Sequence, residues 1–281
     1  MHNYFNGWYM KCQSDSQVMA FIPAVHQSGS RRTASIQIIT SEKSWTVPYS
    51  ADNYRRDGMN IIIDGNSFSK SGISLSIHTQ ELDIDAKLDF GPLTPLKYDI
   101  MGPFALVPFM ECRHSVISMK HSVCGTVCLN GQRYDFYDDA GYWEGDRGRS
   151  FPEEYVWTQC SFSGGSLMLS AADIPLAGFH FTGIIGYVLW KEHEYRLATY
   201  LGAKALQLQD GSIRIVQGDL ELEAKFPDSP GRPLKAPAEG SMIRTIHENP
   251  CCRVFYRFSR KGHTLFAFES HQASFEYEYG R

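Results

Sequence analysis

The chain has 281 residues, 43% apolar and 21% charged, and its 27 Lys and Arg against 31 Asp and Glu give a formal charge of -4. This composition excludes the disordered and fibrous classes, and the acidic balance argues against holding a phosphate backbone by bulk charge, so nucleic acid is not an expected partner. Seven cysteines, an odd number without framework spacing, fit reduced thiols better than a disulfide scaffold.

At the N-terminus, "MHNYFNGWYMKCQ" has no basic stretch followed by an apolar one, so no secretory signal is read there. The most apolar run, "FTGIIGYVLW" at 181–190, is about half the length of a membrane-spanning helix. The expectation is a soluble, cytoplasmic protein. Three hairpins are predicted where Asp-Gly or Asn-Gly pairs supply the positive φ of a two-residue turn: Asp64-Gly65, Asn130-Gly131 and Asp210-Gly211. In "LDIDAKLDF", Leu82, Ile84, Ala86, Leu88 and Phe90 alternate with Asp83, Asp85, Lys87 and Asp89. In "DLELEAKF", Leu220, Leu222, Ala224 and Phe226 do the same, so each strand has one core face and one wet face.

About fifteen to twenty such strand candidates at hairpin spacing, without a long amphipathic helix, predict an all-β barrel or sandwich. One short helix is predicted near the middle of the chain, over "FPEEYVW", where Ser150, Pro152 and Glu153 resemble a cap, a first-turn proline and a capping-box acid. It would join two β-domains, residues 1–155 and 156–281. The proline-rich stretch 226–240 reads as a long ordered loop.

The segment "GYWEGDRGRSFPEEYVWTQC" at 141–160 packs charges among aromatics and does not alternate, so it reads as a charged loop tied down by Trp143 and Trp157 rather than as a strand. A charged loop beside apolar surface suits general-acid chemistry, and it equally suits a structural ion-pair network. In "MECRHS", an extended chain puts Glu111 and Arg113 on one face and Cys112 and His114 on the other. Large aromatics such as Trp8 and Tyr9 either fill a barrel or line a lipophilic pocket. His114, His121, Cys124 and Cys128 match no zinc spacing, and no metal is expected.

The ordered set "YFNGWYMKCQ", "GPFALVPFMECRHSVISMKHS", "GYWEGDRGRSFPEEYVWTQC", "AADIPLAGFHFTG", "ATYLGAKA" and "SFEYEY" resembles the tocopherol cyclase family along essentially the whole chain. Its most distinctive element is Ser150, Phe151, Pro152, Trp157 and Gln159. The resemblance implies two lipocalin-like β-domains around a hydrophobic site, and cofactor-free, proton-initiated closure of a prenylated quinol. It offers Glu144 and Asp146 as acids, with Glu111 and His114 as further acids or orienters. It also implies Trp8, Tyr9, Trp143 and Trp157 as pocket aromatics, and Gln159 as a partner for a substrate oxygen. The family's charged motif reads Glu-Lys-Asn-Trp-Gly or Glu-Lys-Asp-Trp-Gly, which Glu144, Asp146 and Gly148 match while Gly145 and Arg147 depart from it.

The expected ligand is a prenylated aromatic or other isoprenoid lipid, taken up with transient contact to a membrane surface. The alternative is a carrier that shelters such a molecule without changing it. Desolvated, inward-facing Glu144 or Asp146 would favour the enzyme, and an arginine clamp on both the carrier.

Overall fold

A computed structural model describes residues 3–108, 110–176, 178–209, 211–226 and 231–279. Eleven strands come first: β1 (Tyr4–Gln13), β2 (Val18–Ser28), β3 (Arg31–Thr40), β4 (Ser44–Ser50), β5 (Tyr54–Asp57), β6 (Asn60–Ile63), β7 (Asn66–Ser69), β8 (Gly72–His78), β9 (Asp83–Phe90), β10 (Cys112–Leu129) and β11 (Gln132–Gly148). They form one antiparallel sheet in the order β4-β3-β2-β1-β11-β10-β9-β8-β7-β6-β5. The sheet curls around a single core in which Ile36, Ile38 and Trp45 from one end meet Ile61, Ile63 and Phe68 from the other. Arg56 on the end strand β5 reaches across to Asn6 on β1 with a hydrogen bond of 2.7 Å.

A second sheet holds β12 (Tyr155–Phe162), β13 (Gly165–Leu176), β14 (Phe179–Trp190), β15 (His193–Ala198), β16 (Lys204–Gln209), β17 (Ser212–Gln217), β18 (Leu220–Lys225), β19 (Arg232–Ala238), β20 (Ser241–Arg260) and β21 (His263–Tyr277). Its order is β15-β14-β13-β12-β21-β20-β18-β17-β16, with β19 paired to β20. The Gln217 side chain on β17 reaches the end strand β15, accepting from Ala198 N–H and donating to Arg196 C=O at 2.9 Å each. The fold is the all-β architecture that the strand pattern predicts, in the lipocalin-like form that the resemblance implies.

The chain divides into two compact units that exchange segments. One contains residues 1–97, 112–151 and 234–245, the other 98–111, 152–233 and 246–281. Within the first unit, the 234–245 arm is tied on by main-chain bonds. Gln37 donates to Lys235 C=O and accepts from Lys235 N–H, Phe151 N–H reaches Pro237 C=O, and Gly240 N–H reaches Arg149 C=O.

Both described Asp-Gly and Asn-Gly turns form as read, with positive φ at Asp64, Gly65, Asn130 and Gly131. The third hairpin pairs Gln209 with Ser212, but Asp210 lies outside the described residues. Alternation on β9 holds, with Ile84, Ala86 and Leu88 buried and the charged residues exposed.

Three expectations are corrected. Residues 151–154 form no helix, and the rest of "FPEEYVW" enters β12, because pairing with β13 and β21 outweighs a local capping pattern. Residues 232–238 of the proline-rich stretch form β19 instead of a loop; 227–230 lie outside the described residues. Residues 141–148 are the end of β11, where 141–145 are buried on both faces, which is why they do not alternate.

Candidate functional site

Strand β11 runs between β1 and β10, and register puts Glu144 opposite Tyr9 and Val116, and Asp146 opposite Gly7 and His114. Paired residues share a face, so β1, β10 and β11 carry two distinct surfaces. Trp8, Met10, Cys12 and Trp143 face the barrel core, where the two indoles meet edge to face at 4.8 Å. The other face carries Tyr9, Lys11, Tyr142, Glu144, Asp146 and His114. It is also buried: Lys11 and Tyr142 are 1% exposed and Glu144 5%.

On that second face the ionisable groups form a chain. Tyr142 OH donates to Glu144 Oε2 at 2.5 Å. His114 Nδ1 lies 2.9 Å from Asp146 Oδ1, and its Nε2 approaches Glu144 Oε2 to 3.3 Å without a hydrogen bond. Cys112 Sγ donates to Asp146 Oδ1 at 3.5 Å. Burial opposes a charge on His114, but the carboxylates of Asp146 and Glu144 outweigh it and hold its pKa well above the ordinary histidine value. Counting the face gives two carboxylates, one ammonium at Lys11 and one imidazolium, a balance that makes burying the four together tolerable. His114, Glu144 and Asp146 also offer a nitrogen and two oxygens within 4.8 Å of one another, close enough to hold a divalent cation.

The expected residues therefore separate. Glu144, Asp146 and His114 come together with Tyr9 beside them. Glu111 precedes β10, outside the group. Trp8 and Trp143 fill the barrel core rather than wall this face. Trp157 and Gln159 sit on β12 of the other unit, both buried, on the face opposite Val156 and Cys160 of that unit's core. Tyr155 on the same face donates to Glu276 Oε2 at 2.6 Å. Alternation also sends Arg147 away from Glu144 and Asp146, so it does not clamp them. His121, a conceivable metal ligand by sequence, instead bonds Ser118 Oγ at 3.1 Å and packs on Phe90, while Cys124 and Cys128 are exposed.

Sequence reasoning missed Tyr142 and Lys11, while it placed Cys112 on the face of His114 without giving it a role. The signal was present: Tyr142 stands two residues before Glu144 and Lys11 two after Tyr9, the strand period that shares a face.

No protein-family model and no curated protein matches the chain. Solved structures do match in fold. An AttH-like protein from Nitrosomonas europaea aligns with a TM-score of 0.57 at 10% identity, covering 99% of this chain and 93% of that one. Kievitone hydratase from Nectria haematococca gives 0.56 at 7%, covering 98% and 89%. CghA, solved with Sch210972, gives 0.60 at 7%, covering 98% and 88%. At these identities the likeness establishes a shared β-fold.

Proposed function

We propose that the protein is a cofactor-free acid–base enzyme that adds an O–H bond across an alkene of a lipophilic substrate, with ring closure of a prenylated quinol as the leading reaction. The observation that carries the reading is His114: an imidazolium with an 11% exposed side chain, Nδ1 engaged by Asp146, and Nε2 3.3 Å from Glu144 Oε2 without an aligned hydrogen bond. An N–H in that state is placed to serve a third partner. The hydratase among the fold's neighbours adds support, because hydration and cyclisation share a first step, protonation of a C=C bond.

In the proposed reaction the His114 Nε2 proton goes to the less substituted carbon of a trisubstituted alkene, and a tertiary cation forms. The neighbouring phenol oxygen attacks it and closes the ring. The phenolic proton returns through Glu144 to His114, so the product is an isomer of the substrate and the enzyme is unchanged. Glu144 and Asp146 act as electrostatic partners that keep the proton on His114 between turnovers. Tyr142 orients Glu144 through their hydrogen bond. Tyr9, opposite Glu144 in register, offers an aromatic face to the cation.

The test is incubation with a geranylgeranyl or phytyl dimethylhydroquinone in heavy water. The expected product is an isomer with one non-exchangeable deuterium, absent without protein and absent with His114→Gln. Quinol that binds and returns unlabelled would overturn the enzyme reading and leave the carrier.

A further inference from the structure

The inward face of β1 and β11 ends differently from the His114 face. Past Trp8 and Gly145 the next inward pair is Asn6 and Arg147, and the inward residue of β10 in the same row is Arg113. Two guanidinium-bearing residues thus stand opposite each other on neighbouring strands, which concentrates positive charge at this end of the sheet. From across the barrel, Arg56 bonds Asn6 Oδ1 at 2.7 Å and lies over the Trp8 ring at 4.9 Å. Arg32 shares the parity of Ala34, Ile36 and Ile38 in the core, so it joins the same end.

Among these cations is a buried polar atom with the Arg56 guanidinium beside it. The Tyr54 hydroxyl is buried and makes no hydrogen bond. Burial pushes its pKa up, and Arg56 and Arg32 pull against that, which places both guanidiniums near it. Asp64 is a carboxylate close enough to act on neighbouring Tyr49, and it sits in the exposed β6–β7 turn. Arg147 has no ion pair among the described residues.

We propose that this end of the first barrel binds a phosphate-type anion, held between the guanidiniums of Arg32, Arg56 and Arg147 with the Tyr54 hydroxyl as a further donor. Guanidinium forks match the oxygens of a tetrahedral anion, and several converging on one point select multiple negative charge over a single carboxylate. The lumen beneath is filled by Trp8 and its neighbours, so the anion sits at the rim and any organic part projects outward. The site uses the opposite face from the His114 group and is independent of its chemistry.

The experiment is titration of the full chain at low ionic strength with inorganic phosphate and pyrophosphate, followed by calorimetry, alongside flotation with phosphatidylglycerol or phosphatidylcholine vesicles. Saturable 1:1 binding of the free anion is expected, weakened about tenfold by Arg147→Gln or Arg56→Gln and unchanged by Arg133→Gln, an exposed arginine already paired with Asp135. Binding to phosphatidylglycerol vesicles that both variants lose, without free-anion binding, identifies a lipid headgroup as the source of the phosphate. Absence of both kinds of binding, or binding that Arg147→Gln and Arg56→Gln leave intact, overturns the proposal. Melting curves confirm that these exposed substitutions leave the fold in place.

Discussion

His114 has a counterpart in two other buried histidines that behave in the opposite sense. His26, bonded to Ser35 Oγ at 2.9 Å, and His121 are both pushed down to about 4 by burial. Unfolded, each would take up a proton near pH 6.5, so their contribution is complete above that value and is lost as pH falls towards 4, at about 1.4 kcal/mol per pH unit for each. For His114, raised above its unfolded value, the sign reverses: its stabilisation is complete below about pH 6.5 and disappears as pH rises through its folded pKa. Stability should therefore peak near neutrality and fall on both sides. Urea midpoints across pH check this, and His114→Gln should flatten the alkaline limb while His26→Gln flattens part of the acid limb. Tyr142→Phe removes the donor to buried Glu144 and should cost about 1–3 kcal/mol. An unchanged urea midpoint would show that the 2.5 Å bond contributes nothing to the folded state.

Among the strands, β11 holds the most information and was the hardest to read. A Cβ on Gly145 would meet Trp8 Cδ1 at 2.9 Å and Gly7 C=O at 3.3 Å. Trp8 cannot readily yield, since Trp143 packs on one side and Arg56 lies over its ring. Position 145 therefore has no room for a side chain beside the Trp8 indole. Gly145→Ala should lower stability by about 1–3 kcal/mol through overpacking, and an unaltered melting temperature would mean that Trp8 moves freely. β9 and the turns at Asp64 and Asn130 were legible because one wet face and one positive-φ pair leave local marks. The end of β11 was not, because burial on both faces erases period-two alternation. "FPEEYVW" looked helical for a related reason: capping signals are local, and the pairing that made it a strand comes from residues 165–172 and 274–277. The site was half legible. Charges among aromatics drew attention to Glu144 and Asp146, but the juxtaposition of His114 and Asp146, 32 residues apart, exists only through register.

For the whole chain, the midpoint division at residue 155 differs from the observed segmentation. A fragment of residues 1–155 would keep 98–111, which belong to the other unit, and would lack the 234–245 arm. Gln37 would lose both partners on Lys235, and the Arg149 and Phe151 main chain would lose theirs on Gly240 and Pro237. The fragment is expected to be aggregated or only partly folded, whereas residues 1–97, 112–151 and 234–245 joined by short glycine-serine linkers should melt cooperatively. Circular dichroism melts of the two fragments compare them directly, and a cooperative melt of 1–155 would show the arm to be dispensable.

The same arm sets a clock on biosynthesis. Gln37 waits for a partner 198 residues downstream, which at about 5–20 residues per second is a delay on the order of ten to forty seconds. The thermodynamic penalty for so long a loop grows only slowly with its length, but until the arm is made the Gln37 side chain lacks both of its bonds to Lys235, although β3 is already paired with β2 and β4.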